Sequence, residues 1–201
     1  MKINRIKLAK DRRFRSLKKI EKYILGKKVL DVGCNAGTTT KYFSERGFDV
    51  CGIDIDKKWI DFAKLNYPRG KFLLGDIMTE KGKYDTVLII GVLEEIPISP
   101  EKVLREVKKN LNKHGRVIIA VRNMNSAKRR VKTLFGLEPL DPFYARIWCF
   151  TKKRLEKIVT DAGYNILKIT SNKWDSFRSK TFPTPDSLSE EIYAVIEPKK
   201  D

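Results

Sequence analysis

The feature that most limits what this chain can fold into is a rhythm of short apolar runs separated by helical periodicities. Lys28–Gly33, Phe48–Asp54, Lys71–Gly75, Tyr84–Gly91 and Arg116–Val121 each read as one strand. Thr38–Arg46 reads as a helix closed by Gly47. A second helix follows the cap Asp56, with Ile60, Ala63 and Tyr67 on one face and Pro68 just beyond its end. Ser99-Pro100 starts another, with proline at the first helical position and Val103, Leu104, Val107 and Leu111 facing inward. Thr151 caps a last helix carrying Leu155, Ile158, Val159 and Ala162, ended by Gly163, and Tyr164–Thr170 and Ile192–Glu197 are the final strands. Strands alternating with amphipathic helices bury a mostly parallel sheet under helices on both faces. The expectation is a doubly wound α/β domain.

At 201 residues the chain suits one such domain, spanning 28–201, with a helical segment 1–27 packed on it. In that leading segment Phe14, Leu17, Ile20 and Ile24 share a face of a predicted helix over 11–25, capped by Asp11 and ended by Gly26. Two insertions break the rhythm. Residues 122–150 mix Arg129, Arg130 and Lys132 with Leu134, Phe135, Phe143, Tyr144 and Trp148, and residues 171–190 carry Trp174, Phe177 and Phe182. The first reads as a lid; the second reads equally as a lid or a satellite core.

Charge is uneven. Residues 1–28 hold twelve Lys and Arg against Asp11 and Glu21, a net of +10 within a chain total of +18. A basic stretch of this kind suits an anionic partner such as nucleic acid, a phosphorylated metabolite or an anionic lipid surface. A lysine-rich proteome explains it too, since the chain has no Gln and one His. Nothing approaches a membrane span or a secretory signal, and the odd count of Cys34, Cys51 and Cys149 argues against a disulfide framework. A cytoplasmic protein with no integral membrane association is expected. No metal-ligand spacing is present.

Chemistry concentrates in Val29-Leu-Asp31-Val-Gly33-Cys34-Asn35-Ala-Gly37-Thr38, where a buried strand ends in a glycine-rich turn that opens a helix. Gly33 and Gly37 let backbone approach a ligand, and the helix start offers free N–H groups to an anion. Dinucleotide enzymes use the same turn. Three acids separate the readings. Asp31, two residues before Gly33, would attract an ammonium group and repel a diphosphate. Asp54, 21 residues after Gly33 and followed by Ile55, can accept from two ribose hydroxyls. Asp76, followed by Ile77, can accept from an adenine amino group. Each alone is an ordinary cap or turn residue; together they describe S-adenosylmethionine (SAM).

With these residues the chain resembles the class I SAM-dependent methyltransferases over roughly residues 22–197. Asp31-x-Gly33-Cys34-Asn35-x-Gly37 is similar to that family's first motif, Asp54 to its ribose acid, and Asp76-Ile77 to its adenine-contacting pair. Tyr84 through Gly91 to Glu94 resembles the fourth-strand motif, and His114-Gly115 the turn into strand five. The region from Trp148 through Thr151 to Tyr164 looks most like the short "type 11" group. The resemblance implies a seven-stranded sheet in the order 3-2-1-4-5-7-6 with strand 7 antiparallel. Histidines frequent in that group are replaced here by Glu95 and by Arg146 or Ile147, which disfavours a histidine base; His114 reads as structural.

The activity implied is in-line methyl transfer to a small-molecule oxygen, nitrogen or sulfur acceptor, driven largely by alignment. Glu94 or Glu95 is the candidate for orienting or deprotonating the acceptor, against the plain reading of solvated loop acids. Arg129, Arg130 and Trp148 are the candidates for holding it, the arginines through a carboxylate or phosphate. No Asn/Asp-Pro-Pro-aromatic turn follows strand four and no Pro-Cys precedes a nucleophile, so base-amine and cytosine-C5 chemistry are disfavoured. The rival readings are an RNA methyltransferase using the basic leading segment, and a SAM-binding protein without catalysis.

Overall fold

The computed structural model describes residues 17–137, 147–171 and 189–199. Helical residues 17–21 (α1) lead into β1 (Lys28–Val32), α2 (Thr38–Ser44), β2 (Asp49–Asp54), α3 (Lys57–Asn66), β3 (Lys71–Leu74) and β4 (Tyr84–Ile90). Then follow α4 (Pro100–Lys109), β5 (Leu111–Arg122), α5 (Ala127–Leu134), α6 (Lys152–Asp161), β6 (Tyr164–Ser171) and β7 (Glu191–Pro198). The sheet runs β3-β2-β1-β4-β5-β7-β6, with β7 antiparallel to both its neighbours and all other pairings parallel.

Alternation along the strands builds two cores. Leu30 and Val32, Val87 and Ile89, and Val117, Ile119 and Val121 pack with Val103, Leu104 and Val107 of α4 and Leu155, Ile158 and Val159 of α6. The intervening Val29, Leu88, Ile118 and Ala120 pack on the other face against Leu17 and Ile20 of α1 and Tyr42 and Phe43 of α2. A third cluster under α3 joins Cys34, Ile60, Ala63 and Phe72.

The caps form where the sequence places them. Asp56 accepts from the Lys58 amide at 2.8 Å, Ser99 from Lys102 at 3.4 Å and Thr151 from Arg154 at 3.2 Å, satisfying otherwise orphaned donors. Strand β5 corrects one expectation. It begins at Leu111 with an irregular register between Tyr84 and Thr86 of β4, so buried Leu111 belongs to the strand rather than to the helix face. His114 therefore sits, exposed, in the entry to β5.

Of the predicted helix over 11–25, residues 11–16 with Phe14 lie outside the described residues. So do Phe143, Tyr144, Trp174, Phe177 and Phe182 of the two insertions. No described helix is long and apolar enough to cross a membrane.

Candidate functional site

Parallel strands β1, β2, β3 and β4 end along one edge of the sheet, and the residues singled out in the sequence follow their ends. Past β1 the backbone turns left-handed three times, at Gly33 (φ 65°), Asn35 (φ 49°) and Gly37 (φ 76°). A Cβ on Gly33 would lie 2.5 Å from Val92 Cγ2, and one on Gly37 2.6 Å from the Phe72 ring. Glycine is thus required by packing as well as by φ. The Cys34 amide donates to the Ile53 carbonyl at 2.9 Å, and Gly37 N–H to the Cys34 carbonyl at 2.9 Å, which closes the turn.

Asp54 binds this edge together. Its Oδ2 accepts from the Asn35 amide at 2.9 Å and its Oδ1 from the Asp56 amide at 3.0 Å. Its carbonyl accepts from Gly75 N–H at 3.0 Å, tying β3 to the same place. Each carboxylate oxygen retains a second lone pair for a ligand hydroxyl. Ile55 projects beside it, 74% exposed. Asp76 is exposed, with Oδ1 accepting from the Met78 amide at 2.9 Å, while Ile77 is turned into the main core.

Asp31 is placed differently from a surface ammonium partner. It lies inside β1, 2% exposed, and accepts from the Thr40 hydroxyl at 2.7 Å. Its charge sits beneath the turn rather than on its rim. Gly52 makes room for this arrangement, because a Cβ there would be 2.6 Å from Thr40 Oγ1. The field shows on a neighbour: burial first, then the Asp31 and Asp54 carboxylates, push the Cys34 thiol far above its usual range. A negative potential at the turn favours a cationic ligand over a diphosphate.

Beyond β4, Gly91 (φ 69°) is exposed, and a Cβ there would meet nothing within 4 Å, so the edge is open beside it. Glu94 is not a solvated loop acid. It is 3% exposed, and its Oε1 accepts from the Arg122 amide at 2.7 Å. Its carbonyl accepts from the Ile147 and Trp148 amides at 2.8 and 3.0 Å. The Trp148 indole donates to the Ile96 carbonyl at 2.8 Å and its ring packs on the main core. Glu95, one residue on, is exposed. The Arg129 guanidinium donates to the Asn123 carbonyl at 2.5 Å, whereas Arg130 is exposed on α5. Sequence reasoning missed Thr40, Gly52 and the locking role of Glu94. Only the glycine inside a strand pattern gave a signal, as a mark of close approach.

Two surface clefts lie away from this edge. One of about 550 Å³ is lined by Cys51, Lys64, Phe72 and neighbours, and one of about 330 Å³ by residues that include Met78, Glu80, Lys83, Glu106 and Asn110. Neither gathers the acids and glycines described above, which lie along the open edge. Among the described residues no cluster of His, Cys, Asp and Glu fits a metal ion.

A sheet of this order, its one antiparallel strand inserted next to the edge, defines the class I methyltransferase architecture. The chain belongs to the methyltransferase-domain family, whose model matches residues 4–169. It is 32% identical over 125 residues to a ubiquinone biosynthesis O-methyltransferase of Aeromonas salmonicida, a match covering 58% of this chain and 52% of that protein. The chain thus spans about half the length of the curated relatives it matches. Among solved structures, a SAM-dependent methyltransferase from Archaeoglobus fulgidus superposes with a TM-score of 0.71 at 18% identity, covering 94% of each chain. Magnesium protoporphyrin IX methyltransferase from Synechocystis, solved with SAH, gives 0.67 at 19% identity over 96% of this chain and 83% of its own. At such identities these likenesses speak for the fold.

Proposed function

We propose that this protein is an enzyme that transfers a methyl group from SAM to a small-molecule acceptor. The observation that carries the reading is Asp54: its carboxylate grips the glycine turn and its carbonyl grips the end of β3, beside the exposed Ile55. In this reading Asp54 accepts the ribose hydroxyls, the exposed Ile55 flanks the adenine, Asp76 accepts its amino group and Ile77 borders the ring with its main chain. Gly33, Cys34, Asn35, Gly37 and Gly91 give backbone access to the amino-acid end. Asp31 supplies negative potential from below. SAM itself supplies an activated methyl on a sulfonium, so the chain has mainly to align the acceptor.

Glu95, exposed past β4, is the group to orient or deprotonate that acceptor, and Glu94 holds the loop that carries it. Arg129 faces the acceptor's anionic group, and Trp148 closes the wall. The ubiquinone biosynthesis O-methyltransferases among the relatives support an oxygen acceptor. All three cysteines are free, which supports a reducing, cytoplasmic setting. The net +10 over residues 1–28 supports a second reading, in which the acceptor is RNA.

Calorimetric titration tests the donor. The wild-type chain should bind SAM and not NAD, and Asp54→Ala should weaken SAM binding by roughly 10²- to 10⁴-fold, as two lost charge-assisted bonds of about 1.5–3 kcal/mol each imply. Preference for NAD would sink the reading. Labelled SAM incubated with cell extract split into RNA, protein and small-molecule fractions tests the acceptor. Label confined to RNA transfers the proposal to the second reading, and binding without any transfer removes the enzyme.

A further inference from the structure

Helix α5 is built inside out. With 3.6 residues per turn, Ala127, Val131, Leu134 and Phe135 share one face, and Arg129 and Thr133 lie opposite. In a globular protein the apolar stripe ordinarily faces the core. Here it does not: on the opposite side Arg129 is half-buried and donates to the Asn123 carbonyl, Lys132 is half-buried and Thr133 is exposed. Val131 is 53% exposed, Leu134 80%, Phe135 72% and the following Leu137 59%, and no residue of the helix is buried.

The helix itself carries only positive charge, and on one flank Lys128 Nζ lies 3.8 Å from Glu190 Oε1. Residues 127–137 contain Lys128, Arg129, Arg130 and Lys132 and no acid. Lys128 and Arg130 fall on opposite flanks of the apolar face, and both are exposed. The root of the helix is fixed: Ser126 is 1% exposed, and Asn123 makes a parallel bridge to Phe150. That root leaves the carboxyl end of β5, the same edge of the sheet at which Gly33 and Gly91 turn.

We propose that α5, extended by Leu137, is an interfacial anchor for an anionic lipid surface. Val131, Leu134, Phe135 and Leu137 enter the boundary between headgroups and acyl chains, while the exposed Arg130 meets a lipid phosphate beside them. Short apolar stripes bordered by cations and lacking acids partition in this way, through apolar burial plus attraction to anionic headgroups. The chain's net charge of +18 adds long-range attraction to the same surface. A docked α5 sets the candidate site's edge of the sheet nearest the lipid, where an acceptor dissolved in the membrane would arrive.

The test is co-sedimentation of the full chain with vesicles of phosphatidylcholine alone or mixed with phosphatidylglycerol, at low and at high ionic strength. The wild-type chain is expected on the mixed vesicles at low salt and largely free of the neutral ones. The double variant Leu134→Ser/Phe135→Ser, changing two exposed side chains, should lower the vesicle-bound fraction by about tenfold or more with the thermal unfolding midpoint retained. A second readout is Leu134→Trp, whose added emission should shift to the blue when mixed vesicles are supplied. Absence of binding to the mixed vesicles overturns the proposal. So does undiminished binding by the double variant, which would place the interaction on charge elsewhere in the chain, or an unshifted Trp emission.

Discussion

Gly33 and Gly47 separate two costs that a single glycine usually confounds. Both have left-handed backbones, φ 65° and 83°. At Gly47 a Cβ would meet nothing within 4 Å, whereas at Gly33 it would press into Val92 at 2.5 Å. Gly47→Ala should therefore cost only the backbone strain of about 1–2 kcal/mol. Gly33→Ala should add about 1–3 kcal/mol of overpacking. Urea unfolding of both variants measures the difference, and equal losses would contradict the packing assigned to the turn. Glu94 shows the same residue-level lesson from the acidic side. Its letters read as a loop acid, yet the carboxylate replaces a strand partner for the Arg122 amide, so its first duty is to hold backbone.

At the scale of elements, the join between α1 and the sheet rests on the start of β4. Asp85 Oδ2 accepts from the Lys27 and Lys28 amides, both at 3.0 Å, and Oδ1 accepts from Asn112 Nδ2 at 2.6 Å. Thr86 Oγ1 accepts from the Leu25 amide at 2.9 Å and donates to the Leu25 carbonyl at 2.8 Å. The Asn112 amide, then the Lys28 N–H, hold the Asp85 carboxyl below its ordinary value. A carboxylate depressed in the folded state stabilises it fully above the unfolded pKa of about 3.9, and that contribution fades as pH falls through the folded value. Asp85→Asn should thus be less stable than wild type at neutral pH, and the gap should close below about pH 4. Denaturant midpoints across that range would show it; a gap constant with pH would mean that the charge is idle.

For the molecule as a whole, protection from solvent follows position in the sheet. Val87, Leu88 and Ile89 of β4 and Val117, Ile118 and Ile119 of β5 are fully buried, covered on both faces. Edge strand β3 buries only Phe72 of its four residues. Amide exchange should be slowest in β4 and β5 and fastest, among the strands, in β3, since local opening costs less where fewer apolar contacts break. Exchange in β3 as slow as in β5 would require that edge to be covered.

Much of this architecture could be read directly from the chain. Period-two runs against period-3.6 stripes located the strands and helices, and Asp56, Ser99-Pro100 and Thr151 announced helix starts, because these signals are local and act within one turn of backbone. Glycines flanked by acids at strand ends picked out the candidate site by equally local signals. Tertiary structure alone decided that Leu111 joins a strand, that Asp31 lies beneath the turn under Thr40, that Glu94 is swallowed by the sheet edge, and that α5 shows its apolar face outward. Each of these depends on partners 9 to 54 positions away or on which side of an element meets the core. No local pattern encodes that; it is fixed only when the layers close.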